Sequence, residues 1–180
     1  MGSNIMEHSE YLAAAQMAVD YVKQQVKYRG LNTAGGWIRN PLDVPQKFGA
    51  RIKSLNEGKQ MDAQYRGKFD PQVYVDGLEK LAKDSNTGNC SELSSVAFNF
   101  LKRKGTRPLE LYLVFRGSWD HAFVVLNRDG KAAVSDFSTW SYQAVVCDAL
   151  YDRAADAGNL AIWYPRMFPM KAADLAWRLE

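Results

Sequence analysis

Between Ser9 and Tyr28, apolar residues recur at helical spacing. Tyr11, Leu12, Ala15, Ala18, Val19, Val22 and Val26 trace one side of an amphipathic helix that Arg29-Gly30 ends. Asn32 to Gly36 reads as a turn, and Trp37-Ile38 with Pro41-Leu42 as an irregular connector packed by its aromatics. Gln46 to Leu55 reads as a short helix, and the polar run Gly58 to Lys68 as a candidate mobile loop. Asp70-Pro71 starts another helix, with Asp70 as N-cap and Pro71 in the first position. Val73, Val75, Leu78, Leu81 and Ala82 supply its core face. After the turn-forming Ser85-Asn86-Thr87-Gly88, residues Leu93, Val96, Ala97, Phe100 and Leu101 repeat at helical spacing, so a third helix runs from Cys90 to about Arg103 and ends at Lys104-Gly105.

Then the period changes. Leu109 to Phe115 is a predicted strand, and Arg116 to Asp120 turns the chain. His121 to Leu126 is a second strand, apolar on both faces and therefore central. Asp129-Gly130 has the chemistry of a two-residue hairpin turn, after which Lys131 to Phe137 returns as a weaker third strand. Ala144 to Cys147 is a short strand ending at Asp148, and Ala161 to Tyr164 a further one. Lys171 to Arg178 closes the chain as a helix. Helices followed by a mainly antiparallel sheet make this an α+β protein. Residues 1–84 read as a helical N-terminal part of the same domain and residues 85–180 as its core, with no internal repeat.

Composition narrows the function classes. The chain has 180 residues, nearly half of them hydrophobic, enough for a sizeable core. A net charge of +3 from scattered Lys and Arg, with no accompanying motif, gives nucleic-acid binding little support. No apolar run approaches a bilayer span, and no signal peptide starts the sequence. Met1-Gly2-Ser3 and Leu179-Glu180 are of the kind that cloning leaves on an excised domain, which would lack its targeting segment. Two cysteines, Cys90 and Cys147, cannot form a disulfide framework. With only His8, in an expected frayed terminus, and His121, they make no convincing zinc site. Free thiols suit a reducing site of action. Nothing calls for a cofactor.

The chemistry concentrates at Gly88-Asn89-Cys90-Ser91-Glu92. Asn89 is a good N-cap, and Glu92 three residues on completes a capping box. Cys90 is then the first residue of its helix, where the positive end of the dipole favours the nucleophilic thiolate. A lone cysteine is most often a buried structural residue. The turn, the cap and the later histidine shift the reading to a nucleophile. His121 opens a central strand at a loop junction flanked by Trp119 and Asp120, and is the natural partner base. The backbone N–H of Cys90 is the first oxyanion donor, with Asn89 and Asn86 as adjacent side-chain candidates.

Two registers nominate two acids. A tight hairpin at Asp129-Gly130 places Asp136 as a same-face diagonal neighbour of His121. If instead Asn127 to Gln143 is an excursion and Ala144 to Cys147 pairs with His121 to Leu126, Asp148 arrives beside the histidine. Either aspartate has the plainer reading of a turn cap.

Taken together, Gly88-Asn89-Cys90-Ser91-Glu92, Asp120-His121-Ala122-Phe123-Val124-Val125, Ser138-Thr139-Trp140 and Ala144-Val145-Val146-Cys147-Asp148 resemble the papain-like thiol domains of bacterial effectors and toxins. These include dermonecrotic-toxin-type deamidases and effector proteases, related in layout to the transglutaminase core. The likeness covers about Asp84 to Ala154. Ala149 and Leu150 stand where the family pattern continues Pro-Trp. The effector likeness favours Asp148 as third residue and ranks it first, whereas transglutaminase-like spacing favours Asp136.

The resemblance implies a Cys-His-Asp enzyme that attacks an amide through a thioester. It would act as a cysteine protease, glutamine deamidase or transglutaminase on a protein of a host or competitor cell, secreted or injected into that cell's cytoplasm. The alternative from another class is a non-catalytic protein-binding module on a thiol-enzyme fold, which the departure at Ala149-Leu150 and the aromatics Trp37, Trp163, Tyr164 and Phe168 would suit.

Overall fold

The structure, a computed structural model, describes residues 6–29, 70–116, 119–134, 136–140, 142–164 and 175–180. The expected connector, short helix and polar loop between residues 32 and 68 lie outside the described residues.

Helix α1 (His8–Gln25) begins in a Glu7–Glu10 capping box and buries Tyr11, Ala14, Ala15, Ala18, Val19 and Val22. It is shorter than its periodicity suggests, because Asn86 captures the chain beyond it. The Asn86 side chain accepts from the Lys27 N–H at 2.7 Å, and the Asn86 carbonyl accepts from the Tyr28 N–H at 3.1 Å. Tyr28 therefore leaves the helix and joins β1 (Tyr28–Arg29), which pairs parallel with β2 (Thr87–Gly88). Helix α2 (Pro71–Ser85) starts as expected: Asp70 accepts from the N–H groups of Gln72 and Val73. Val75, Leu78, Leu81 and Ala82 are buried, but Val73 is 39% exposed and faces away from the core. Asn86, left-handed at φ 53°, ends α2. Helix α3 (Cys90–Arg103) follows.

The sheet has five strands: β3 (Leu109–Arg116), β4 (Trp119–Leu126), β5 (Val145–Asp148), β6 (Arg153–Asp156) and β7 (Leu175–Leu179). Their order is β6-β5-β4-β3-β7, every neighbour antiparallel, with β4 in the centre. One face, with Leu109, Leu111, Val124, Leu126, Val145 and Cys147, packs on α1 and α3. The other, with Tyr112, Val114, Phe123, Val125 and Val146, is covered by Trp140, Ala144, Ala157, Leu160 and Tyr164. The chain is thus α+β. No described helix is long and apolar enough to cross a membrane.

Four expectations are corrected. Among the described residues, Lys131 to Phe137 forms no strand, and the one regular element between β4 and β5 is a 3-10 turn, Phe137–Thr139. Arg128 explains this, because its guanidinium draws the carbonyls of Asp129 and Ala132 inward and away from any ladder. Ala161 to Tyr164 is not a strand: Leu160–Trp163 is a short helix, α4, with Leu160 as its buried anchor. The described part of the expected closing helix, from residue 175 on, is a strand; residues 171–174 lie outside the described residues. Leu175–Leu179 pairs with β3 and covers an edge that would otherwise present unpaired backbone groups. His8, expected in a frayed terminus, begins α1, and its Nε2 meets Asp156 Oδ1 at 2.8 Å.

Glu110, buried on the second face, ties this architecture together. Arg128 donates Nε and a terminal N–H to its two oxygens, each at 2.6 Å; Arg178 adds a bond at 2.9 Å and the Tyr112 hydroxyl one at 3.0 Å. Burial pushes the Glu110 carboxyl up, but the two guanidiniums outweigh it and hold it below the usual range. Removing one partner of such a cluster leaves a buried charge short of compensation. Arg128→Met is expected to lower unfolding free energy by about 3 kcal/mol in urea denaturation.

Candidate active site

The site begins with a close approach. A Cβ on Gly88 would lie 2.9 Å from the Leu93 Cδ2, so glycine lets β2 lie against the first turn of α3. Asn89 caps that turn in a capping box, its own N–H donating to Glu92 Oε2 at 3.1 Å. Cys90 is thereby the first helical residue. One turn later, the buried Ser94 donates its hydroxyl to the Ala122 carbonyl at 2.9 Å. This bond pins the head of α3 to β4, beside His121.

The register decides between the two acids. Val124 lies opposite Cys147, so one step further Phe123 is level with Asp148. Asp148 is then a same-face diagonal neighbour of His121. Its Oδ2 accepts from His121 Nε2 at 2.6 Å. Cys90 hydrogen-bonds the same imidazole. Asp136 lies elsewhere: it is exposed, caps the 3-10 turn and accepts from the Ser138 N–H at 3.0 Å. Asn86 is exposed and occupied by Lys27. Asn89 is buried beside Cys90, within its cap. Cys147 faces the helical core; burial and the Asp148 charge push its thiol up, away from reactivity.

Asp148 has no exposed surface. Its Oδ1 accepts from the backbone N–H of Leu150 at 3.0 Å and of Tyr151 at 3.3 Å, which shapes the β5–β6 turn. Its Oδ2 also accepts from the Tyr164 hydroxyl. Arg29 braces the turn through Asp152 and the Ala149 carbonyl, joining it to the β1–β2 pair that leads to Cys90. The imidazole sits among rings, with centroids 4.8 Å from Tyr164, 5.5 Å from Tyr151 and 6.0 Å from Phe123. Sequence reasoning missed Ser94, Tyr151, Arg153 and the role of Tyr164. Their importance comes from strand pairing and from α4, and no local motif announces it. Among the described residues, no group of three or more His, Cys, Asp or Glu is placed to hold a metal ion.

Burial opposes a charge on His121, but the Asp148 carboxylate, its hydrogen bond and Cys90 outweigh it and raise the imidazole pKa to about 9. The arrangement therefore holds a proton on the ring at neutral pH, facing the sulfur. Because the folded value lies above the unfolded one, the stabilisation is fully present below about pH 6.5 and is lost as pH rises through 9. Unfolding free energy is expected to fall across that window by up to roughly 3 kcal/mol. His121→Gln should flatten this part of the pH profile in denaturant titrations.

No family model matches the chain, and neither a curated protein nor a solved structure matches it.

Proposed function

We propose that the protein is a papain-like or transglutaminase-core-like thiol enzyme that attacks an amide in a target protein. The observation that carries this reading is the continuous chain from Cys90, at the head of a helix, through His121 to the buried Asp148. In this mechanism the Cys90 sulfur attacks the amide carbon, and the carbonyl pair moves onto oxygen. The Cys90 N–H, in the first turn of α3, is the donor nearest that oxyanion. Collapse forms a thioester and expels the amine, which takes its proton from His121. His121 then accepts a proton from water or from a second amine as that nucleophile displaces the thiol. Water on a main-chain acyl group gives proteolysis; on a glutamine side chain it gives deamidation, and an amine gives transamidation. The setting that fits is a bacterial effector or toxin acting on a protein inside a host or competitor cell.

One observation favours the rival binding-module reading: Cys90 and His121 are each only 3% exposed. Alkylation separates the two. An active site predicts that iodoacetamide labels Cys90 well below pH 8 while Cys147 stays slow; a binding module predicts two sluggish thiols.

The activity itself is tested by intact-mass spectrometry of a lysate incubated with the wild type or with Cys90→Ala. A gain of about one mass unit per site marks deamidation, fragments mark proteolysis and adducts mark transamidation, each absent with the variant. No difference between wild type and variant would overturn the reading. On the substrate so found, Asp148→Asn is expected to lower kcat/KM by about a hundredfold, because the imidazolium loses its counter-charge. Asp136→Asn should leave it within about twofold, since that residue only caps a turn.

A further inference from the structure

Tyr164 and Arg153 extend the chain of bonds beyond Asp148. Tyr164 follows α4, its N–H donating to the Leu160 carbonyl at 2.8 Å, so the buried Leu160 anchors it. Its buried ring lies over His121, and its hydroxyl donates to the same Asp148 oxygen that His121 uses. Arg153 stands opposite Asp148 in the β5–β6 pair and on the same face. Its guanidinium lies 5.6 Å from the Tyr164 ring centroid, 5.3 Å from Tyr151 and 4.9 Å from Trp163. Among the described residues, no carboxylate forms a direct ion pair with it. The charge it faces is that of Asp148, reached through the Tyr164 hydroxyl.

We propose that Tyr164 and Arg153 are positioning residues of the thiol site: Arg153 donates to the Tyr164 oxygen, Tyr164 donates to Asp148 Oδ2, and the carboxylate so held sets how firmly His121 keeps its proton. The inference rests on the thiol chemistry proposed above. The hydroxyl and the imidazole compete for one oxygen. The hydroxyl takes up part of the carboxylate's charge, which weakens the grip of Asp148 on the imidazolium and eases proton release to a leaving amine. Tyr164 suits this role because burial and the Asp148 charge push its ionisation up, so it remains a donor throughout the working range. Among the described residues, the charged and titratable groups around His121 are Cys90 from α3, Asp148 from β5, Tyr151 from the turn, Arg153 from β6 and Tyr164 beyond α4.

Tyr164→Phe keeps the ring and removes the donor; Arg153→Met keeps a stem against the rings and removes the charge. Iodoacetate reports on both without a substrate, because an anion reacts fastest with Cys90 while His121 is protonated and slows when that proton leaves. In the wild type the rate should fall on the alkaline side near pH 9. Tyr164→Phe should move that fall upward by about half a pH unit or more, and Arg153→Met should move it less in the same direction. Melting temperatures measured alongside separate this from a packing role, which would lower stability and leave the pH profile in place. Superimposable profiles, with the wild-type fall present, would overturn the positioning role while leaving the thiol site standing. A wild type with no alkaline fall would overturn the thiol reading and this inference with it.

Discussion

The site depends on one carboxylate that has no contact with water. Asp148 is buried completely, and its hydrogen bonds come from an imidazole, a phenol and two backbone N–H groups. A charge in that position is tolerable only because all those donors converge on it. The constraint runs outward. The two backbone bonds shape the β5–β6 turn, the imidazole bond orients His121, and the phenol bond brings Tyr164 down over the sheet. Ser94 completes the geometry from the helical side by tying α3 to the strand that carries His121.

The same face of the sheet carries a second buried acid, Glu110, and the contrast explains where chemistry is possible. Two guanidiniums satisfy Glu110, and guanidinium groups do not titrate in the accessible range. That end of the sheet is locked. Asp148 has instead a partner that can lose its charge, an imidazole whose pKa is raised to about 9. Two buried carboxylates on one face thus divide the roles. Glu110 holds β3, β7 and the segment after β4 together, and Asp148 holds the His121 imidazole in place. The aromatic packing between them, with Tyr112 stacked on Phe123 at 5.3 Å, keeps the two ends on one rigid surface.

Much of this was legible where local chemistry is strong. The Asp70-Pro71 start, the Asn89–Glu92 cap and a central strand through His121 follow from short-range rules, and the structure has them, with that strand beginning two residues earlier, at Trp119. Cys90 and His121 were legible for the same reason. The choice between Asp136 and Asp148 was a question of register, which sequence pattern leaves open when one turn signal is overridden. Here Arg128 overrides the Asp129-Gly130 signal by claiming the carbonyls around it. The C-terminal segment misled for a related reason: Leu175–Leu179 fits a helix or a strand equally well by composition, and the open edge of β3 decides. Tyr28 shows the reverse case, a residue in helical register drawn into a strand by the side chain and carbonyl of Asn86. Arg153 and the role of Tyr164 were invisible because β6 and α4 place these residues, and neither element has a distinctive pattern.

The central claim is that the His121 imidazole carries a proton at neutral pH while it faces the Cys90 sulfur. Its most direct test is an NMR titration of the His121 ring nitrogens in the wild type and in Cys90→Ala. The account predicts an imidazolium at pH 7.5 that titrates near 9 in the wild type and at a lower pH once the sulfur is gone. A neutral ring titrating near 6.5 in both proteins would contradict it.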